Sequence, residues 1–219
     1  DLRDLSGKKF NKAALQKENG FKVDPSIPLL GFVARLVDQK GLDILVPVLE
    51  RLAQQQDIQL VLLGTGDDPY HQVLRGIAKK NKKWFGVHIV FDPKMAKRIY
   101  AGVDMLVIPS YYEPCGLGQI ISLRYGTIPV VRATGGLADT VQNFETATQK
   151  GNGFIFEDYT SDALHAALLR AVKIFKQDKL WKELIKNAMK SDFSWDASAK
   201  KYSQLYETVK RRPVKLEKT

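Results

Sequence analysis

The run from Met105 to Gly136, M-L-V-I-P-S-Y-Y-E-P-C-G-L-G-Q-I-I-S-L-R-Y-G-T-I-P-V-V-R-A-T-G-G, decides how the chain folds. Met105–Pro109 is short, apolar and bounded by turn residues, the pattern of a buried strand. Gly116 then opens a segment of helical character, and Ile128–Val131 is a second buried strand. Gly135 and Gly136 mark another turn from strand into helix. Strand, glycine turn, helix and strand in this order make a right-handed βαβ unit, whose strands are parallel.

The same alternation extends in both directions from residue 29 onward. Strands are predicted at Leu29–Ala34, Ile58–Leu63, Val87–Phe91 and Gly153–Phe156, besides the two already named. Helices are predicted near residues 41–56, 68–82, 94–102, 116–126 and 135–146. The strand runs are mostly continuous in Val, Ile and Leu, as expected where helices cover both faces of a sheet. An α/β fold with one open, mainly parallel sheet of about six strands follows. Ligands of such sheets bind at the C-terminal ends of the strands, where the strand order reverses. After Phe156 the pattern is all helix: Ser161–Phe175, Leu180–Lys190 and Trp195–Lys210. Asp158 or Thr160 is placed to cap the first and Ser194 the third. Residues 1–27 are polar, contain one amphipathic segment (Lys12–Glu18) and end in the turn-like Asp24-Pro25-Ser26. They read as a connector from a preceding domain, and residues 28–219 as one Rossmann-like domain with C-terminal helices.

The bulk properties narrow the function classes. The chain has 219 residues, 44% hydrophobic and 26% charged, which suits one domain or at most two small ones. No apolar run approaches the roughly 20 residues of a membrane helix. Without an initiating Met or a signal pattern at Asp1, the chain reads as a fragment or processed form. A single cysteine, Cys115, rules out an internal disulfide framework and suits a reducing compartment. The net charge of +10 invites a nucleic-acid reading, but Lys79, Lys80, Lys82, Lys83 and the tail from Lys210 to Thr219 hold +8 of it. Those runs read as a solvated helix end and a frayed terminus. There is no zinc spacing and no basic stripe interleaved with exposed aromatics, so nucleic acid is a minor hypothesis.

Several residues at predicted strand ends could carry chemistry. Arg35 and Lys40 follow the first strand, where two cations can pair with a diphosphate. Spacing alone allows two solvated loop charges equally well. Gly64-Thr65-Gly66 closes the second strand, a weak signal that any tight βα turn could produce. Phe91 ends the third strand, where a phenylalanine is more often a core residue. Glu113 stands in the turn after Met105–Pro109, beside a helix start whose free N–H groups favour phosphate. An acid next to such a cradle suits an enzyme that handles a sugar nucleotide; the alternative is a surface turn acid. Cys115 lines the same turn. The three histidines, His71, His88 and His165, have no context that pairs them with it as a nucleophile.

Together these motifs resemble the C-terminal domain of starch and bacterial glycogen synthases, which transfer glucose from ADP-glucose to an α-1,4-glucan. The resemblance covers nearly the whole chain. It includes L-S-G-K-K-F-N-K-A-A-L-Q-K at the start, R-L-V-D-Q-K-G at Arg35–Gly41, Asp192-Phe-Ser-Trp195, and the Tyr202–Tyr206 segment. In that family the last segment often packs back across the first domain. The resemblance implies the C-terminal half of a retaining GT-B glycosyltransferase. Arg35 and Lys40 then bind the diphosphate in place of a metal, and Glu113 faces the sugar. It further implies that Gly64, Thr65, Gly66 and Phe91 lie near the nucleoside, and that Cys115, Gly116, Leu117 and Gly118 meet sugar and phosphate. No metal and no other cofactor is expected. Implied partners are ADP or ADP-glucose, an α-1,4-glucan acceptor and an N-terminal catalytic domain, with no nucleic acid and no membrane. The implied location is the bacterial cytoplasm or the plastid stroma.

Two positions depart from the wider pattern. Ile121 stands where many retaining glycosyltransferases have a second glutamate, an absence common to starch and glycogen synthases. Gly118 stands where the family often has Thr or another polar residue able to reach the distal phosphate. The K-x-G-G-L motif of the family's first domain does not occur, so the chain reads as the nucleotide-binding half and is expected to be inactive alone. A glycosyltransferase using UDP-glucose and a non-catalytic nucleotide- or glucan-binding module are the alternatives.

Overall fold

The computed structural model describes residues 4–55 and 58–210. The basic tail predicted to fray lies, beyond Lys210, outside the described residues. Six strands, β1 (Leu29–Val33), β2 (Gln59–Gly64), β3 (Phe85–Ile89), β4 (Met105–Ile108), β5 (Ile128–Arg132) and β6 (Phe154–Phe156), form one sheet. Every pairing in it is parallel, in the order β3-β2-β1-β4-β5-β6. This is the doubly wound, Rossmann-like arrangement, with the order reversing between β1 and β4.

Alternate residues of the central strands feed two apolar layers, because successive side chains point to opposite faces. Leu30, Phe32, Leu60 and Leu62 join a core covered by α2 (Leu42–Gln55) and α7 (Ser161–Phe175). Leu29, Val61 and Leu63 face the other way, under Leu15 of α1 (Ser6–Glu18) and Met95 and Ile99 of α4 (Pro93–Gly102). The remaining helices are α3 (Asp68–Lys80), α5 (Gly118–Arg124), α6 (Gly135–Thr140), α8 (Asp178–Lys190) and α9 (Trp195–Lys210). Thr160 caps α7 by accepting from Ala163 N at 3.2 Å, and the Ser194 hydroxyl accepts from Ala197 N at 3.2 Å. Lys79, Lys80, Lys82 and Lys83 are all exposed around the end of α3.

Two elements differ from the sequence expectation. The third strand begins at Phe85 and ends at Ile89, so Phe91 falls in the following turn. Trp84 and Phe85 are the buried residues there, and the apolar Val90 is exposed, which explains the shift. The helix expected over 135–146 stops at Thr140. Thr140 turns its hydroxyl back onto the carbonyl of Gly136, and Val141 is extended and buried against Val131 and Leu137. Asn152 then takes the chain over: its side-chain oxygen accepts from Gln142 N at 2.7 Å and its amide donates to Thr140 O at 3.1 Å. A β-branched residue with a core pocket and a polar side chain that mimics backbone outcompete continuation of the helix.

Candidate active site

Because β1 connects on toward β2 and β4 toward β5, the loops leaving these neighbouring strands diverge and leave a cleft between them. The cleft has a volume of about 280 Å³, and its walls include Arg35 and Lys40 from the β1 loop and Ser110 and Glu113 from the β4 loop. Lys40 Nζ lies 2.6 Å from Glu113 Oε2, and the Ser110 hydroxyl donates to the same oxygen at 3.1 Å. The two charged side chains are only 17% and 13% exposed, so this pair is shielded far more than an ordinary surface bridge. Arg35 is exposed and has no hydrogen bond or ion pair among the described residues. The cleft therefore offers one free guanidinium and one ammonium already balanced by a carboxylate.

The acid loop is held from several sides. Tyr111 N donates to Gln39 O at 2.9 Å, and the Gln39 amide donates to Tyr112 O at 3.0 Å, which ties the two cleft loops together. Arg132 Nη1 donates to Tyr111 O at 2.6 Å. Gly136 N donates to Glu113 O at 3.0 Å. A Cβ on Gly136 would stand 1.9 Å from Cys115 O, and one on Gly135 would stand 2.1 Å from Glu113 O. The double glycine thus lets α6 press directly against the backbone of the acid turn. Gln119, fully buried, donates from Nε2 to Cys115 O, Gly116 O and the Thr140 hydroxyl at 3.0–3.1 Å.

The expected site residues divide into two groups. Arg35, Lys40, Glu113, Gly116, Leu117 and Gly118 line one cleft. Cys115 is exposed in the same turn but does not line it, and its carbonyl is occupied by Gln119. Gly64, Thr65, Gly66 and Phe91 lie outside that lining. The glycine turn packs on the Arg35 loop: Leu36 N donates to Thr65 O at 3.0 Å, and a Cβ on Gly64 would meet Ala34 O at 2.0 Å. Phe91 is 82% exposed, so the core alternative for this ring is excluded. Ser110, Tyr100 and Gln119 also line the cleft without having been singled out from sequence. Ser110 stands at a strand end and was open to the same argument as Arg35; Tyr100 and Gln119 lie within helical segments that carry no such signal.

The chain is 50% identical over 207 residues to the glycogen synthase of Desulforudis audaxviator, covering 94% of this chain and 41% of that protein. It is 51% identical over 206 residues to the glycogen synthase of Thermosipho africanus, with 94% and 42% coverage. Among solved structures it matches the catalytic domain of starch synthase IV from Arabidopsis thaliana bound to ADP and acarbose. That match has a TM-score of 0.86 at 36% identity and covers 97% of this chain and 44% of that one. Sucrose-phosphate synthase from Thermosynechococcus elongatus matches with a TM-score of 0.65 at 25% identity, covering 90% and 48%. The chain thus spans less than half the length of each of these relatives. The family model described as "Glycosyl transferases group 1" matches residues 12–191, which takes in the second half of α1, the whole sheet and the cleft. On that match, and on the doubly wound sheet beneath it, the chain belongs to the group 1 glycosyl transferases.

Proposed function

We propose that this chain is the donor-binding part of a retaining α-1,4-glucan synthase, a hexosyltransferase that elongates starch or glycogen from ADP-glucose. The observation that carries this reading is the meeting of Arg35, Lys40 and Glu113 in one cleft at the β1/β4 switch point. Cations for a diphosphate and an acceptor for sugar hydroxyls are side by side there, as a sugar nucleotide requires. The likeness to glycogen synthases and to a starch synthase bound to ADP supports the donor assignment.

In this reading Arg35, exposed and without an ion-pair partner among the described residues, takes the diphosphate first. Lys40 turns from Glu113 toward the phosphates as they enter, and Glu113 is released to accept hydrogen bonds from the glucose hydroxyls. The bond from the anomeric carbon to the diphosphate oxygen breaks as a bond to the 4-hydroxyl oxygen of the glucan forms on the same face. The negative charge that grows on the diphosphate falls on Arg35 and Lys40, while Glu113 stabilises the positive charge at the anomeric carbon. The hydroxyl proton leaves with the departing diphosphate. The glucan acceptor and the groups that orient it belong to an N-terminal domain, and the enzyme works in the bacterial cytoplasm or plastid stroma.

Titration of the chain with ADP, UDP and a maltooligosaccharide tests the proposal. Saturable binding of ADP in preference to UDP supports it. Preference for UDP moves the donor to another sugar nucleotide, and binding of the oligosaccharide alone replaces the donor site with a glucan module.

A further inference from the structure

Gly118 leaves a side-chain position open in the wall of the cleft. A Cβ built there would meet nothing closer than 3.6 Å, and one of the atoms at that distance is the Tyr100 hydroxyl. Tyr100 comes from the far end of α4, yet it lines the same cleft as Arg35, Lys40 and Glu113. Its hydroxyl has no hydrogen-bond partner among the described residues, although the residue is only part-exposed. Partly buried tyrosine hydroxyls ordinarily find one. Burial also pushes the Tyr100 phenol above its ordinary value, so the hydroxyl keeps the proton it would donate.

We infer that Tyr100 is a ligand-binding residue: its hydroxyl donates to the terminal phosphate of a nucleoside diphosphate through the space that Gly118 leaves open. The inference rests on the donor-site reading above. The chemistry of the cleft selects a phosphate for this donor. Glu113 is the acceptor group for sugar hydroxyls, whereas Arg35 and Lys40 mark where the anionic part lies. A neutral phenol adds a third donor there without adding charge. Gly118 then becomes one half of an exchange: a hydroxyl is missing from α5 and is supplied from α4.

The exchange is tested by calorimetry with ADP and AMP on the unmodified chain and on Tyr100→Phe, Tyr100→Phe with Gly118→Thr, and Arg35→Ala. Tyr100→Phe should weaken ADP about tenfold, one hydrogen bond to a charged group, and leave AMP within about twofold. Adding Gly118→Thr should restore most of the ADP affinity, because the open position accepts a side chain at ordinary contact distance. ADP binding unchanged in Tyr100→Phe while Arg35→Ala weakens it overturns the inference and leaves the donor site standing. Equal losses for ADP and AMP in Tyr100→Phe also overturn it, because the terminal phosphate is then not the group read. ADP binding unchanged in Arg35→Ala removes the donor site, and the inference falls with it.

Discussion

Glu113 is the residue on which the site turns, and its surroundings set the sign of what its removal does. Lys40 at 2.6 Å and Ser110 at 3.1 Å hold one oxygen of an acid that would otherwise repel a diphosphate. Glu113→Gln removes that repulsion and frees Lys40, so ADP binding should tighten roughly two- to fivefold, a shielded ion pair's worth of free energy. Calorimetry on the variant checks this, and weaker binding contradicts the assignment of Lys40 to phosphate. Arg35→Ala acts in the opposite direction. Loss of a charge-assisted contact of about 1.5–3 kcal/mol should weaken ADP by about ten- to a hundredfold. That Arg35, Lys40 and Glu113 meet in one cleft was legible in the sequence, because each follows an apolar run and parallel strands bring their C-terminal ends together. Tyr100 and Gln119 were not, because a helical period tells only which face is covered, not which side chain reaches a cleft formed by other elements.

At the scale of elements, α1 is clamped to the N-terminal ends of the central strands β1 and β4, opposite the cleft. Lys12 Nζ lies 2.7 Å from Asp104 Oδ2, with side chains 7% and 9% exposed, and Asp104 also accepts from Leu29 N at 2.8 Å. Asp104→Asn leaves the buried Lys12 charge uncompensated and should cost about 3–5 kcal/mol, read by urea denaturation. Adding Lys12→Met to Asp104→Asn should recover most of that, since the buried charge is gone while the amide oxygen can still accept from Leu29 N. Lys8 docks beside them, its ammonium donating to Val103 O at 2.8 Å and to the Thr127 hydroxyl at 2.6 Å. Burial pushes Lys8 down to about 8 from its ordinary 10.5, with the Asp104 charge pulling the other way. Between those values the unfolded chain binds more protons than the folded one, so the Lys8 penalty, full below about pH 8, is relieved as pH rises. From about pH 7 to about pH 9.5 the unmodified chain should therefore gain stability relative to Lys8→Met, and a loss would falsify the buried ammonium. Sequence patterning showed only an amphipathic segment over Lys12–Glu18, because the partners Asp104 and Thr127 are distant in sequence and belong to loops without period. The shortened α6 was hidden for a similar reason: its end depends on Asn152 across the following loop.

The described residues build one sheet with one reversal of strand order, and the candidate cleft lies where that reversal opens it. The strand order was within reach of the sequence because βαβ units admit one hand and sheets of this class a few orders. Helix α9 buries none of its residues and exposes Trp195, Tyr202 and Tyr206; the proposed reading as one half of an enzyme gives this surface to the other half. Holding donor and acceptor together is worth up to about 7–11 kcal/mol, so this chain alone should transfer no radiolabelled glucose from ADP-glucose to glycogen. Robust transfer by it would place the acceptor groups within these residues. The central claim, that the β1/β4 cleft takes the diphosphate of the donor, is tested most directly by titrating ADP into the unmodified chain and into Arg35→Ala. One saturable site that Arg35→Ala weakens about tenfold or more is the predicted result; no binding of ADP, or equal affinity in the two chains, contradicts it.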